Sequence, residues 1–573
     1  MKIEKNLKIG SRICIFTFLF CISCINSASF PAKRDSNGSG VAISSNEYAN
    51  KIGKEVLDSG GNAIDAAVAM GYALAVTHPA AGNIGGGGFA LIRLKNGEVI
   101  SLDFRESAPL KASRDMYLDK NKEVIPNSSL VGYLASGVPG SVKGMSAMLD
   151  KYGSKKLEEL IQPAINLAEN GFILTDKQAQ SMLEVKDGFA KFESSRKYFL
   201  KKDGSTYGAG EVFVQKDLAK TLRLIQKEGE SAFYKGKIAD LIEMDMKKNG
   251  GLITKQDLEN YEVKWREPVK GTYRGYEIIS MGPPSSGGAH IIQMLNILEN
   301  ANLKELGALS AKSIHLLVES MRQAYADRSL FLGDPDFVEV PLDVITSKEY
   351  AKKIYNNIMN LNGKAGNDTI PGLGMIKEPK IKQVKEGNNT THYSVADKWG
   401  NAVSVTYTIN GSYGALAAVD GAGFLLNNEM DDFSIKTGVA NLYGLVGSDA
   451  NAITPLKRPL SSMSPTIVLK DNKLFMVVGS PGGSRIITTV LQVILNVIDY
   501  EMPLGVAVSA PRIHHQWTPN EIRFEKFGLN ADTKKLLEEK GYEVNERPEM
   551  GDVNAIILEN GIYYGTGDPR KEF

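Results

Sequence analysis

Cysteine is nearly absent from this 573-residue chain. Its three cysteines, Cys14, Cys21 and Cys24, all lie close to the N-terminus, so the chain beyond them has no thiol. Disulfides, thiol catalysis and zinc sites built on cysteine are therefore excluded from that part of the chain.

The chain also lacks an excess of charge of either sign. It has 67 Lys and Arg against 66 Asp and Glu, which gives no net charge that would attract nucleic acid or an acidic membrane surface. With 43% hydrophobic and 23% charged residues, the composition is that of an ordinary globular protein. A disordered chain and collagen-like repeats are excluded on the same ground.

Several motifs of metal and nucleotide chemistry are missing. No pair among the six histidines has the His-x-x-x-His spacing that places two metal ligands on one helix face. The Gly-x-Ser-x-Gly elbow of α/β-hydrolases does not occur, and the glycine clusters lack the Gly-Lys-Ser/Thr ending of a nucleotide-binding loop. We therefore expect neither a metal nor another cofactor, and no nucleic acid as partner.

The N-terminal segment has the pattern of a secretory signal peptide. Basic residues between Lys2 and Arg12 precede an apolar run from Ile13 to Ile25, and small residues follow. The run is shorter than the about 20 residues that a membrane-spanning helix needs. We expect residues 1–29 to be a signal peptide and the rest to be exported, to the periplasm or the medium, with lipidation of Cys24 as an alternative.

A hairpin is the clearest structural pattern in the second half of the chain. Alternating residues predict strands over Thr390–Asp397 and Asn401–Thr408, joined by a tight turn. The apolar face of one strand should pair with the apolar face of the other. With a three-residue loop, this register makes the residue numbers of each opposed pair sum to 798. Thr390 then lies opposite Thr408, with their Cβ atoms about 5 Å apart.

A chain cut before Thr390 would carry a nucleophile and its base on one residue. The threonine hydroxyl is a weak nucleophile, but a free α-amine with a pKa near 8 can serve as its base. The preceding segment, 362–389, lacks periodicity and predicts a long mobile connection, as in an internally cleaved precursor. From spacing alone, however, Thr-Thr at the start of a strand more often reflects the preference of threonine for strands than a catalytic role.

The wider sequence resembles the bacterial γ-glutamyltranspeptidases, also called γ-glutamyltransferases. The similar motifs are GNIGGGGFALI, LDFRESAP, MGPPSSGG, NTTHYSVAD, LLNNEMDDFS, YGLVG, KRPLSSMSPTIV and GSPGGSRIITTVLQ, which span nearly the whole chain after the predicted signal peptide. The resemblance implies an α+β fold of the N-terminal nucleophile hydrolase type, a four-layer αββα sandwich. It also implies self-cleavage between Asn389 and Thr390 into a large subunit (30–389) and a small subunit (390–573) that stay together.

The same resemblance assigns the catalytic groups. Thr390 would be the nucleophile, and Thr408 would orient its hydroxyl. The backbone N–H groups of Gly482 and Gly483, between an apolar strand and an apolar helix, would stabilise the oxyanion. Without the resemblance, the two glycines would be a plain tight turn, and His392, next to Thr390, is expected to be structural.

Two groups of residues would bind the charged ends of a γ-glutamyl group under a lid. They are Arg105, Ser461 and Ser462 for the α-carboxylate, Asn410, Glu429 and Asp432 for the α-ammonium, and Tyr443 in the lid. Without the resemblance, Arg105 would be interpreted as forming a surface salt bridge with Glu106. The segment PLSSMSP would be a turn, and the acidic cluster that includes Glu429 and Asp432 would be a set of helix caps or a calcium site.

The expected reaction is γ-glutamyl transfer from glutathione or glutamine through an acyl-enzyme on Thr390. Water, or an acceptor amino acid or peptide, would then take the γ-glutamyl group. One alternative is a glutaryl or cephalosporin acylase of the same fold, whose substrate lacks the α-amine. The other is a non-catalytic exported binding protein, which would not need cleavage.

Overall fold

The computed structural model describes residues 33–35, 37–366 and 389–570. The predicted signal peptide, 1–29, and most of the predicted mobile connection lie outside the described residues. Within the described ranges, no helix is both long enough and apolar enough to cross a membrane.

Two β-sheets form the centre of the molecule. In spatial order, the strands of the seven-stranded sheet are Lys33–Arg34, Ile562–Gly567, Asn554–Glu559, Lys473–Gly479, Thr466–Lys470, Tyr276–Ser280 and Val269–Tyr273. Those of the six-stranded sheet are Gly40–Ser44, Thr391–Asp397, Ala402–Thr408, Gly87–Arg93, Val99–Phe104 and Lys264–Arg266. All neighbours in both sheets are antiparallel.

Helices cover the outer face of each sheet. The longer helices on the six-stranded side are Glu47–Asp58, Ala63–Thr77, Ser141–Tyr152, Leu157–Asn170, Lys216–Glu228 and Lys237–Asn249. Those on the seven-stranded side are Gly287–Leu298, Ala311–Phe331, Lys348–Asn360 and Ile486–Ile498. A third apolar cluster joins the sheets, with Leu91 from one and Ile467 and Val477 from the other. The layers are therefore α, β, β, α, and the predicted fold class is confirmed.

Smaller elements complete the described chain. They are a three-stranded sheet of Ile513–His514, Ile522–Glu525 and Val544–Arg547, a strand pair of Phe172–Ile173 and Val212–Phe213, and the helices Asp176–Glu184, Lys186–Phe189, Glu193–Phe199, Ser231–Tyr234, Lys255–Glu259, Leu303–Leu306, Leu342–Ile345, Leu504–Ser509 and Ala531–Glu539.

The hairpin has the register that its alternation predicts. Thr391 pairs with Tyr407 and Val395 with Val403, so the opposed numbers sum to 798. The apolar residues of both strands pack on the helices, whereas Ser404 reaches the other sheet, where its hydroxyl donates to the carbonyl oxygen of Val478 at 3.3 Å. A one-residue slip would have exchanged these faces.

The antiparallel order brings several strand ends to one edge of the sandwich. Thr391 begins its strand there, and Thr408 and Phe104 end theirs. In the other sheet, Gly479 ends a strand at the same edge, because it lies against the ring of His392, and Gly482 just beyond it contacts Asn389. The segments that leave these ends carry the predicted site residues.

Candidate active site

Thr390 and Thr408 face each other at this edge. Their hydroxyl oxygens lie 3.1 Å apart, and both side chains are buried. The backbone N–H of Asn410 donates to the Thr408 hydroxyl oxygen at 2.9 Å. Since a hydroxyl has one hydrogen and two acceptor sites, the Thr408 hydrogen stays available for the Thr390 oxygen.

Thr390, which follows the predicted cleavage site, has an unusual backbone conformation. Thr390 has φ +96°, which is an outlier for a β-branched residue. The Asn389 carbonyl oxygen, on the other side of the Asn389–Thr390 bond, accepts a long hydrogen bond of 3.4 Å from the Gly482 N–H. A backbone donor therefore already points at the carbonyl that a cleavage reaction would attack.

Gly483 lies next to Gly482, where the chain turns toward the helix Ile486–Ile498. Its φ is +57°, and a Cβ at this position would overlap the ring of Tyr443. Only glycine combines this backbone conformation with such close contact.

Arg105 is buried and lies between two acidic side chains. It pairs with the carboxylate of Glu429 and, through Nη2, with Asp432 Oδ2 at 2.6 Å. The expected salt bridge with Glu106 is present at 3.9 Å, but it is buried rather than at the surface, because Arg105 is only 1% exposed. In the acidic cluster, Glu429 and Asp432 are partners of Arg105 rather than helix caps.

Burial dominates the electrostatics of these acids. It raises the pKa of Glu429 above its usual range, and the negative charges of Glu106 and Asp432 add to that shift, while Arg105 opposes it. Burial likewise raises the pKa of Glu106, although Arg105 acts in the opposite direction. Three carboxyl groups, those of Glu106, Glu429 and Asp432, thus lie within 4 Å of the single positive charge of Arg105.

The loop that carries Tyr443 closes over the site. The Tyr443 hydroxyl donates to the carbonyl oxygen of Asn410 at 2.9 Å, and the side chain is 4% exposed. Asp432 accepts from Asn441 at 2.9 Å, and Asp431 accepts from the Leu442 N–H at 2.8 Å. Asn410 itself donates to the Asn428 carbonyl oxygen, which places its side chain beside the acidic segment.

Ser461 and Ser462 precede the strand Thr466–Lys470, as their pattern predicts. The Ser461 hydroxyl oxygen accepts from the Met463 N–H at 3.1 Å. The Ser462 hydroxyl oxygen accepts from Arg328 Nη2 at 3.3 Å.

His392 does not contact Thr390 through its ring. Its Nδ1 lies 2.8 Å from the Thr406 hydroxyl and its Nε2 3.0 Å from the Ser394 hydroxyl. Burial lowers the pKa of His392 to about 3. Both ring nitrogens therefore have partners away from the nucleophile, in agreement with a structural role.

One cavity gathers nearly everything that the sequence singled out. All the predicted site residues except Gly482, which contacts Asn389 behind it, line this cavity. The sequence argument missed four further lining residues: Arg328, Leu445, Met463 and Ile486. Arg328 lies on the helix Ala311–Phe331, where polar and apolar residues are buried alike, so the local sequence pattern does not indicate where its side chain points.

Comparison with known proteins agrees with this geometry. The family model described as gamma-glutamyltranspeptidase matches residues 49–573. A relative from Escherichia coli strain K12, named glutathione hydrolase proenzyme, is 51% identical over 93% of this chain and 90% of its own. The crystal structure of Helicobacter pylori gamma-glutamyltranspeptidase is 57% identical, covers 61% of this chain and 98% of its own, and superposes with a TM-score of 0.56.

A cephalosporin acylase from Bacillus halodurans superposes over 100% of this chain and 98% of its own with a TM-score of 0.80, at 24% identity, which shows the shared fold. Two stacked sheets between helical layers, with Thr390 directly before a central strand, define the fold class of the N-terminal nucleophile hydrolases. Within that class, the chain belongs to the gamma-glutamyltranspeptidase family and is a γ-glutamyl-transferring enzyme.

Proposed function

We propose that the chain is a proenzyme that cuts itself between Asn389 and Thr390 and then uses Thr390 to transfer the γ-glutamyl group of glutathione or glutamine. The pieces would be a large subunit of about residues 30–389 and a small subunit of residues 390–573. The observation that carries the proposal is the Thr390–Thr408 hydroxyl pair at 3.1 Å, next to a carbonyl that Gly482 already contacts.

In the cleavage step, the Thr390 hydroxyl oxygen attacks the Asn389 carbonyl carbon. The C–N bond breaks, the nitrogen takes the proton and becomes the new α-amine, and water hydrolyses the resulting ester. The positive φ of Thr390 supports this step, since such strain costs on the order of 1–3 kcal/mol and is released when the bond breaks. The Gly482 N–H would stabilise the oxyanion.

In turnover, the same hydroxyl attacks the γ-carbonyl carbon of the substrate, with the new α-amine as base. Cys-Gly leaves from glutathione, or ammonia from glutamine, and takes the proton. Gly482 and Gly483 would stabilise the oxyanion, and Thr408 would orient the nucleophile. Water then gives glutamate, whereas an acceptor amino acid or peptide gives a new γ-glutamyl amide.

The charged residues favour γ-glutamyl over glutaryl substrates. Arg105 pairs with Glu429 and Asp432, so a group that carries a carboxylate and an ammonium can exchange with both halves of that ion pair. A glutaryl group has no ammonium and would leave two carboxylates facing its own. That difference argues against the acylase alternative.

We also propose that the enzyme is exported after loss of residues 1–29. The support is the charge and hydropathy pattern of that segment, which lies outside the described residues.

The deciding experiment is intact mass spectrometry of the purified wild type and of Thr390→Ala. We expect the wild type to give two chains, with the smaller one beginning at Thr390 and gaining the mass of one adduct when treated with an electrophilic γ-glutamyl analogue. Thr390→Ala should stay a single chain without an adduct, and Thr390→Ser should retain part of both activities.

Two cleaved chains from Thr390→Ala would show that cleavage is not self-catalysed. An adduct on another residue of the wild type would show that Thr390 is not the nucleophile.

A further inference from the structure

Arg328 is a buried guanidinium in the active-site cavity for which the reaction described above has no role. It lies near the C-terminal end of the helix Ala311–Phe331 and is 5% exposed. Its side chain lines the same cavity as Thr390. A buried charge at a reaction site calls for a partner.

The partners of Arg328 differ from those of Arg105. Arg105 lies between two carboxylates, whereas no carboxylate of the described residues comes within 4 Å of the Arg328 guanidinium. Arg328 instead donates to hydroxyls, from Nε to Ser286 Oγ at 3.0 Å and from Nη2 to Ser462 Oγ at 3.3 Å. Burial lowers the pKa of Arg328 to about 10; the negative charge of Asp432 opposes this shift and the charge of Arg105 adds to it, so Arg328 stays cationic near neutral pH.

The hydroxyls around Arg328 are arranged to donate to an anion. Ser462 accepts from the guanidinium, and Ser461 accepts from a backbone N–H, so each keeps its own hydrogen for another acceptor. Ser286 accepts from Arg328 and donates to the Ser461 carbonyl oxygen at 2.8 Å, which fixes this segment. The cavity thus offers one cation and two hydroxyl donors on the same side.

We propose that Arg328 binds the α-carboxylate of the substrate together with Ser461 and Ser462, and so determines specificity for that group. The inference rests on the γ-glutamyl transfer proposed above. It is compatible with the exchange described for Arg105: when Glu429 and Asp432 turn to the substrate's α-ammonium, Arg105 and Arg328 together would face the α-carboxylate.

The test compares three anilides in the wild type, Arg328→Gln and Arg328→Lys. The γ-glutamyl anilide has both charged groups, the glutaryl anilide keeps only the carboxylate, and the 4-aminobutanoyl anilide keeps only the ammonium. For Arg328→Gln, we expect kcat/KM to fall about tenfold to a hundredfold for the first two, mainly through KM, and to change less than about threefold for the third. The kcat/KM of Arg328→Lys should lie between those of the wild type and Arg328→Gln, since lysine keeps the positive charge but lacks the planar, two-pronged donor geometry of arginine. Where turnover is too slow, the anilide's inhibition constant replaces kcat/KM.

Arg322→Gln is the matched control. Arg322 lies on the same helix and is also buried, but it pairs with Glu319 Oε2 at 3.1 Å and does not line the cavity. The Arg322→Gln substitution should change kcat/KM by the same factor for all three anilides.

An equal loss on all three anilides in the Arg328 variants would assign Arg328 to support of the serine segment and overturn the proposal. The proposal would also be overturned if neither Arg328→Gln nor Arg328→Lys folded and underwent cleavage. If the wild type does not turn over the γ-glutamyl anilide, the proposed function itself is wrong, whatever the variants do.

Discussion

At the scale of single residues, the proposed nucleophile, Thr390, is positioned by a chain of hydrogen bonds between backbone and hydroxyl groups. The Asn410 N–H fixes the Thr408 hydroxyl, and this hydroxyl meets Thr390 at 3.1 Å. The arrangement needs no histidine, and the ring of His392 is engaged with Thr406 and Ser394. Orientation of the hydroxyl is thus separated from proton transfer, which falls to the future α-amine.

Thr408→Val tests this chain, because valine keeps the β-branched shape and removes only the hydroxyl. We expect cleavage and turnover to slow by about tenfold, the value of one hydrogen bond of about 1.4 kcal/mol. The rate of small-subunit appearance and kcat measure the effect. Thr406→Val is the matched control, since Thr406 is on the same strand face but bonds to His392 rather than Thr390. Equal slowing in both variants would contradict a specific role for Thr408.

At the scale of elements, the hairpin has one apolar and one polar buried face. The polar face lies against the second sheet, where each polar group needs a partner, because unpaired buried groups are costly. Ser394 donates to the carbonyl oxygen of Asn554 at 3.0 Å, so it accepts from His392 Nε2. The Nε2 atom of His392 therefore carries a hydrogen, burial favours the neutral form of the ring, and Gly479 opposite it leaves room for the ring.

This burial predicts a pH dependence of stability. Since the pKa of His392 is lowered to about 3 from 6.5, its contribution is present above pH 6.5 and is lost as the pH falls toward 3. The loss amounts to about 1.4 kcal/mol per pH unit. His392→Gln should remove this part of the slope when urea unfolding is followed from pH 7.5 to 4.5. Parallel curves for wild type and variant below pH 6.5 would show that His392 titrates normally.

At the scale of the whole molecule, the proposed cleavage divides both sheets. Gly40–Ser44 pairs with Thr391–Asp397 in one sheet, and Tyr276–Ser280 pairs with Thr466–Lys470 in the other. The apolar cluster between the sheets likewise takes residues from both sides of the Asn389–Thr390 bond. Separation of the two pieces would therefore require unfolding of both sheets.

We accordingly expect the cleaved enzyme to remain one particle under native conditions. Size-exclusion chromatography should give the same elution volume for the wild type and for uncleaved Thr390→Ala, whereas a denaturing gel should show two chains for the wild type alone. Native elution of separate subunits would contradict the shared sheets.

The sequence by itself determined the local structure. The period-two alternation sets the register of the hairpin, because a slip of one residue reverses its faces, and this register is enough to place Thr390 beside Thr408. Helix capping is local in the same way: in the structure, Asn46 and Asn62 cap the first two helices by accepting from backbone N–H groups within three residues. The motif resemblance then supplies the site residues and the layered fold.

Only the tertiary structure decided which charges meet. Arg105 and Glu429 are separated by 324 positions, so no local period relates them. Their contact depends on the edge at which the strands end and on the stacking of two sheets. The same holds for Arg328, which comes from the helix Ala311–Phe331 on the outer face of the seven-stranded sheet and reaches Ser462, 134 positions later in the chain. Local periodicity fixes faces and registers, but long-range order alone sets the distances between side chains, and hence the chemistry of the cavity.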